Sequence, residues 1–254
     1  MLALLDIGFG GWGIFAAVIL GLLILDLGVF NRKAHAPSVK ESLGFTIFYI
    51  TIALLFGAWV WWSRGAVSGK EFFTGYLVEQ SLSLDNIFVM SIIFNYLHIP
   101  PQYQHRALFW GILGAIIFRG ILIAAGAVLV HKFEWVLYIF AGFLLWTGLK
   151  MLMARKHEAV ELEHNWLLNY LRGHFKITPK IDGQKFFVRQ PDKNGKMHTW
   201  ITPLFVALLL IEFADVIFAF DSVPAIFAIT KDPFIVYTSN IFAILGLRSL
   251  YFTL

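Results

Sequence analysis

Five carboxylates stand where this chain has least use for charge: Glu79 and Asp85 in VEQSLSLDNIFV, and Glu212, Asp215 and Asp221 in IEFADVIFAFDSVPA. No Lys or Arg occurs from Phe72 to His105, so the first two acids have no cationic neighbour along the chain. A charge at the centre of a membrane-spanning helix costs roughly 2.5–3.5 kcal/mol on insertion scales, so each acid needs a partner or a function. Asn86 and Ser222 directly follow two of the acids and add an amide and a hydroxyl. Such hard oxygen donors suit Mn2+, Mg2+ or Ca2+. The chain has no Cys and its eight His fall in loops or at the ends of apolar runs, so a Zn or Cu site within the membrane has little material. Asp26, in LGLLILDLGVF, is a further candidate, although a hydrogen bond to a neighbouring helix near the inner end of its span explains it as well.

The surroundings of these acids are membrane-like. Of 254 residues 59% are hydrophobic and 14% charged, with a mean hydropathy of +0.73, far from ordinary soluble composition. The chain reads as an all-α polytopic membrane protein with about seven spans: Trp12–Phe30, Leu43–Trp62, Phe72–Leu97, Ala107–Val130, Trp135–Met153, Ile201–Ile229 and Ile235 to the end. These runs are apolar on every side, unlike the alternating strands of a membrane barrel. The N-terminus lacks the basic region and small-residue cleavage site of a removed signal, so the first span is expected to stay in the bilayer. The formal charge of +4 lies scattered in loops, which does not suggest nucleic acid as a partner; the partners expected are the lipid bilayer, a divalent cation and protons.

The polar stretch 154–200 is the one sizeable extramembrane segment. Within it ELEHNWLLNYLRGHF has helical spacing, and FFVRQPDKNGKMHTWI reads as two short strands around an Asn194-Gly195 turn. With the N-terminus outside, the inner loops carry fourteen Lys and Arg against four in the outer ones, which places this loop in the cytoplasm. Trp59, Trp61 and Trp62 form an interfacial aromatic belt.

The two acidic motifs can be superposed. Glu79-x5-Asp85-Asn86 matches Asp215-x5-Asp221-Ser222, and Gly111-x7-Arg119 in GILGAIIFRG matches Asn240-x7-Arg248 in NIFAILGLRS. Three spans per unit would make the copies inverted, with polar sites at their interface, an arrangement of secondary transporters. The chain then divides into two N-terminal spans (1–62), a first three-helix unit (63–153), the loop (154–200) and a second unit (201–254) that appears incomplete. After Arg119 the first unit continues through another span, so at least one further span is expected beyond Leu254.

Geometry along one helix sets the acids apart. At about 100° per residue, Glu212 and Asp215 lie about 60° apart, Glu212 and Asp221 about 180°, and Glu79 and Asp85 about 120°. Pro224 cannot donate to the carbonyl of Phe220 and disfavours helix at Val223, so an opened turn around Asp221-Ser222 is expected. Ser81, Ser83 and Asn86 would satisfy backbone freed by a similar break in the first motif. Arg119 and Arg248 would neutralise two of the five acids or gate the site, leaving three for protons or a metal cation. Asn240 is a further candidate for the polar site. No phosphate loop, nucleophile elbow or zinc-helix signature is present, so the chain does not read as an enzyme and no organic cofactor is implied.

At NRKAHA, EQSLSLDNIFV, IEFADVIFAFDSVPAIFAIT and DPFIVYTSNIFAILGLRSLYF the sequence resembles the TerC family of integral membrane proteins, along essentially its whole length. The resemblance implies a bacterial inner-membrane protein of a family named for tellurium resistance and associated with manganese export. It also implies metal ligands at the positions matching the family acids, Glu79, Asp85, Glu212, Asp215 and Asp221, and further spans beyond GLR-x-x-YF. The expectation is a proton-coupled exporter of a divalent cation, Mn2+ foremost. Two alternatives stand beside it: an exporter of an oxyanion such as tellurite, which an acid-rich cavity opposes, and a membrane scaffold that docks partners through the 154–200 loop.

Overall fold

The structure, a computed structural model, describes residues 9–26, 38–153, 166–179, 181–191 and 196–253. Among these are eight helices and one two-stranded hairpin. In chain order they are α1 (Phe9–Leu25), α2 (Val39–Arg64), α3 (Ala66–Tyr96), α4 (Pro101–Lys132), α5 (Val136–Met153), α6 (Trp166–His174), β1 (Phe187–Pro191), β2 (Met197–Ile201), α7 (Pro203–Phe227) and α8 (Pro233–Tyr251). Five of them, α2, α3, α4, α7 and α8, are long and apolar enough to cross a membrane; α1 and α5 contribute shorter apolar stretches, Gly10–Leu25 and Val136–Lys150.

The helix ends follow from local chemistry. Ser38 caps α2 by accepting from the Glu41 N–H at 3.3 Å, while the Ser38 N–H reaches the Glu41 carboxylate at 3.4 Å. Gly65 alone separates α2 from α3, at φ +92°, a conformation that residues with a Cβ rarely adopt. Pro101, Pro203 and Pro233 open α4, α7 and α8, where the missing N–H costs nothing. Thr202 and Asp232 supply the caps of the last two.

α8 is the axis of the bundle. Ile235, Ile241, Phe242, Ala243 and Leu247 are buried nearly all round, against α2, α3 and α4. α3 comes closest where Gly75 faces Ser239, near enough that a Cβ at Gly75 would meet Ser239 Oγ at 2.8 Å. Small residues that admit close backbone approach are the usual means of packing helices in lipid, where no hydrophobic force drives them together. α4 lies along α7, and α5 packs against α7 beside α4.

One end of the bundle is closed by the polar segment. Leu168 and Leu171 of α6 are buried among Ile93, Leu108, Ile201 and Leu204, at the end of α3 and the starts of α4 and α7. The hairpin pairs Phe187 with Ile201 and Pro191 with Met197 in antiparallel register, as its alternating sequence predicts; the expected turn at Asn194-Gly195 lies outside the described residues. At the opposite end Arg64 pairs with Asp232 at 2.9 Å, Lys231 with Glu134 at 3.2 Å, and Thr230 donates to Glu71 at 2.8 Å.

One expectation is corrected. Neither acidic motif breaks its helix: α3 is continuous through Glu79, Asp85 and Asn86, and α7 runs through Asp221 and Ser222 to Phe227. Pro224 sits in the last turn of α7, where the hydrogen bond it forfeits is next to a helix end and opens nothing further. Ser81 bonds the Leu77 carbonyl at 2.8 Å as a helical serine does, and Ser83 turns to a side chain.

Candidate functional site

Helical spacing places Glu79, Ser83 and Asn86 of α3 at i, i+4 and i+7, on one face, and all three are buried. The same spacing puts Asp215 and Ser222 of α7 on one face, also buried. Asn240 of α8 and Arg119 of α4 enter between them. Arg119 is 1% exposed, and its fork meets the Asp215 carboxylate twice, Nε to Oδ2 at 3.1 Å and Nη2 to Oδ1 at 2.7 Å. Nη1 donates to Glu79 Oε1, to Ser222 Oγ at 3.2 Å and to Asn240 Oδ1 at 2.9 Å.

Five oxygens from α3, α7 and α8 therefore converge on one buried guanidinium. Two further bonds fix the acid on α3: Asn240 Nδ2 donates to Glu79 Oε2 at 3.0 Å, and Ser83 Oγ to Glu79 Oε1 at 3.2 Å. One cation between two carboxylates leaves the cluster one charge negative.

Glu212 lies one turn inward along α7. Its carboxylate packs against Gly114 of α4, where a Cβ would collide with it, and its Oε2 is buried with no hydrogen-bond partner among the described residues. It shares the wall of a cavity of about 20 Å³ with Met90, Gly111, Asp215 and Arg248. That volume suits one water molecule or a small ion. Asn86 Oδ1, about two turns further along α3 than Glu79, is likewise buried without a partner among the described residues.

Other candidates lie elsewhere. Asp85 is exposed, on the side of α3 turned away from Glu79, and Asp221 is half-buried and outside the Arg119 cluster. Arg248 does not neutralise any of the five acids: it grips both carboxylate oxygens of Asp26, just beyond α1, in a buried pair. Asp26 thus bonds a neighbouring helix, and among the described residues one arginine stands against the five acids, leaving four rather than three. Among the described residues no three His, Asp or Glu side chains are gathered as a ready metal cluster; Arg119 stands between the two acids it joins, Glu79 and Asp215.

Sequence reasoning passed over Ser83 as a partner of Glu79 and Gly114 as the seat of Glu212. The signal for Gly114 was present in the row of small residues along α4, Gly111, Gly114, Gly120 and Gly126, which marks a close helix contact.

A bundle of apolar helices around a buried cluster of carboxylates and a single arginine defines a polytopic membrane protein of transporter-like build. Residues 64–254 match the model of the integral membrane protein TerC family, and the chain belongs to that family. It is 51% identical over 245 residues, 96% of the chain, to the uncharacterized membrane protein STKORF319 of Myxococcus xanthus, covering 75% of that protein. It is 49% identical over 243 residues to an uncharacterized membrane protein of Rickettsia bellii, covering 78% of it. It is 46% identical over 252 residues to the Escherichia coli K12 protein Alx, a membrane-bound redox modulator by its name, covering 77% of it. No solved structure matches.

Proposed function

We propose that this protein is a secondary transporter that exports a divalent metal cation, with Mn2+ the best-suited cargo, in exchange for protons. The observation that carries this reading is the convergence of Glu79, Asp215, Ser222 and Asn240 oxygens from three helices on one buried guanidinium, with Glu212, the i−3 neighbour of Asp215, holding a buried oxygen without a partner among the described residues. Hard oxygen donors with surplus negative charge fit a hard divalent cation, and the manganese association implied by the family resemblance selects among such ions. Asp85 and Asp221 lie outside this cage in the present arrangement, so binding is assigned first to Glu79, Asp215, Ser222 and Asn240, then to Asn86, with Glu212 a neighbouring acid and not a ligand.

The inverted two-unit plan is supported by how matched positions behave. Glu79 and Asp215 hold the same arginine, and Asp85 and Asp221 both fall outside its cage. On this plan seven spans place the N-terminus outside and the 154–200 loop in the cytoplasm of a bacterial inner membrane. Alternating access would rock one unit on the other.

An oxyanion cargo fits less well, since the cluster already carries more carboxylate than cation. The redox name of the Escherichia coli relative finds no thiol here, as these 254 residues hold no cysteine. In proteoliposomes loaded with a Mn2+ indicator, Glu79→Gln and Asp215→Asn are expected to lose Mn2+ flux while retaining folded protein. Undiminished flux in both variants would overturn the reading.

A further inference from the structure

Arg119 does more than neutralise an acid. A buried structural arginine commonly takes one carboxylate in its fork, as Arg248 does with Asp26. Arg119 instead sends its N–H groups to two carboxylates, a hydroxyl and an amide oxygen, drawn from α3, α7 and α8. All five oxygens turn to Arg119 of α4, so a cation at the same point would draw on the same donors. Among the described residues Glu212 Oε2 is buried without a hydrogen-bond partner, and Glu212 is the i−3 neighbour of Asp215 on α7.

Building on the transport reading above, we propose that Arg119 is a tethered stand-in for the cargo: its guanidinium fills the oxygen cage when no metal is bound, and the metal enters as the guanidinium shifts one turn along α7 to Glu212. Charge makes the exchange even. With Arg119 in the cage the Glu79–Asp215 pair is left with one uncancelled negative charge. With a divalent cation in its place that pair is neutral, and Arg119 neutralises Glu212, so two further negative charges are cancelled at once. The stand-in also explains how two facing acids are held together in an apolar bundle between transport events, since unpaired they would repel.

The consequence is competition. The apparent affinity of a ligand falls by the fraction of molecules in which its site is free, so an arginine that fills the cage in about nine molecules of ten lowers the apparent Mn2+ affinity about tenfold.

The test is Mn2+ binding to the purified full chain by isothermal titration, comparing the wild type with Arg119→Ala, Arg119→Lys and Glu212→Gln. Arg119→Lys keeps the charge with fewer donors and guards against a variant that does not fold. The expected order of affinity runs from Arg119→Ala, about tenfold tighter than wild type, through Arg119→Lys to wild type, with Glu212→Gln weaker than wild type because the arginine has nowhere to go. In Arg119→Ala, added guanidinium should compete with Mn2+, and in wild type it should not. If wild type binds Mn2+ and both arginine variants bind it equally or more weakly, Arg119 is a structural clasp and the stand-in is overturned while the cation site survives. If neither wild type nor the folded Arg119→Lys variant binds Mn2+, the cation site itself fails, and the stand-in with it.

Discussion

Arg119 and Arg248 fall at matched positions when the two sequence motifs are superposed, and the fold uses them in opposite ways. Arg248 and Asp26 form a balanced pair, one cation on one carboxylate, that ties the end of α1 to the central helix α8. Arg119 is shared between Glu79 and Asp215 and also bonds Ser222 and Asn240, so its surroundings hold more negative charge than it can cancel. A balanced buried pair can be replaced by apolar residues at little cost, whereas an imbalanced cluster keeps a standing demand for another cation. The difference marks Arg248 as architecture and Arg119 as part of a site.

The comparison is broken most severely at Arg119. Arg119→Gln leaves Glu79 and Asp215 facing each other in the interior, and is expected to cost about 3–5 kcal/mol of stability. Mn2+ should restore much of the loss, because a divalent cation satisfies the same oxygens; unfolding in lipid bicelles with and without Mn2+ reads both effects. Arg248→Gln should destabilise by a comparable or slightly smaller amount for the same reason, yet without recovery by Mn2+. Replacing both partners as Asp26→Leu/Arg248→Met should recover most of that loss, since no buried charge is then left alone. No such recovery would show that Asp26 and Arg248 each serve a wider network.

A smaller effect is expected at the seam between α4 and α7. Gly114→Ala places a Cβ against the Glu212 carboxylate, and overpacking of this kind costs about 1–3 kcal/mol. The double variant Gly114→Ala/Glu212→Ala should regain most of it, because the carboxylate that obstructs the Cβ is gone. The least effect belongs to Asp85→Asn. This exposed acid lies outside the cage, so stability and Mn2+ affinity should stay within about 0.5 kcal/mol, a factor of two to three. A large loss of Mn2+ affinity in this variant would move Asp85 into the binding site and redraw the comparison.

Much of this was legible along the chain. Apolar runs located the five helices long and apolar enough to cross a membrane to within about six residues at each end, and also the shorter apolar helices α1 and α5, because nothing else satisfies backbone groups in lipid. The Asn194-Gly195 signal found the hairpin. Motif superposition picked out Glu79, Asp215, Ser222, Arg119 and Asn240, which the fold does bring together. Partner choice was not legible. Nothing in the spacing of Arg248 says that it reaches Asp26, over two hundred positions away, rather than an acid of its own unit. Nor did Pro224 disclose that it would fall in the last turn of α7, where it ends a helix instead of opening one.

The central claim is that the oxygens around Arg119 constitute a divalent-cation site, and the most direct measurement is metal-dependent thermal stabilisation of the purified protein. Mn2+, Ca2+, Mg2+ and Zn2+ would be titrated against wild type and the Glu79→Gln/Asp215→Asn variant. The account predicts saturable stabilisation by Mn2+ in wild type that is lost in the double variant. Stabilisation of equal size in both, or none by any metal in folded wild type, would contradict it.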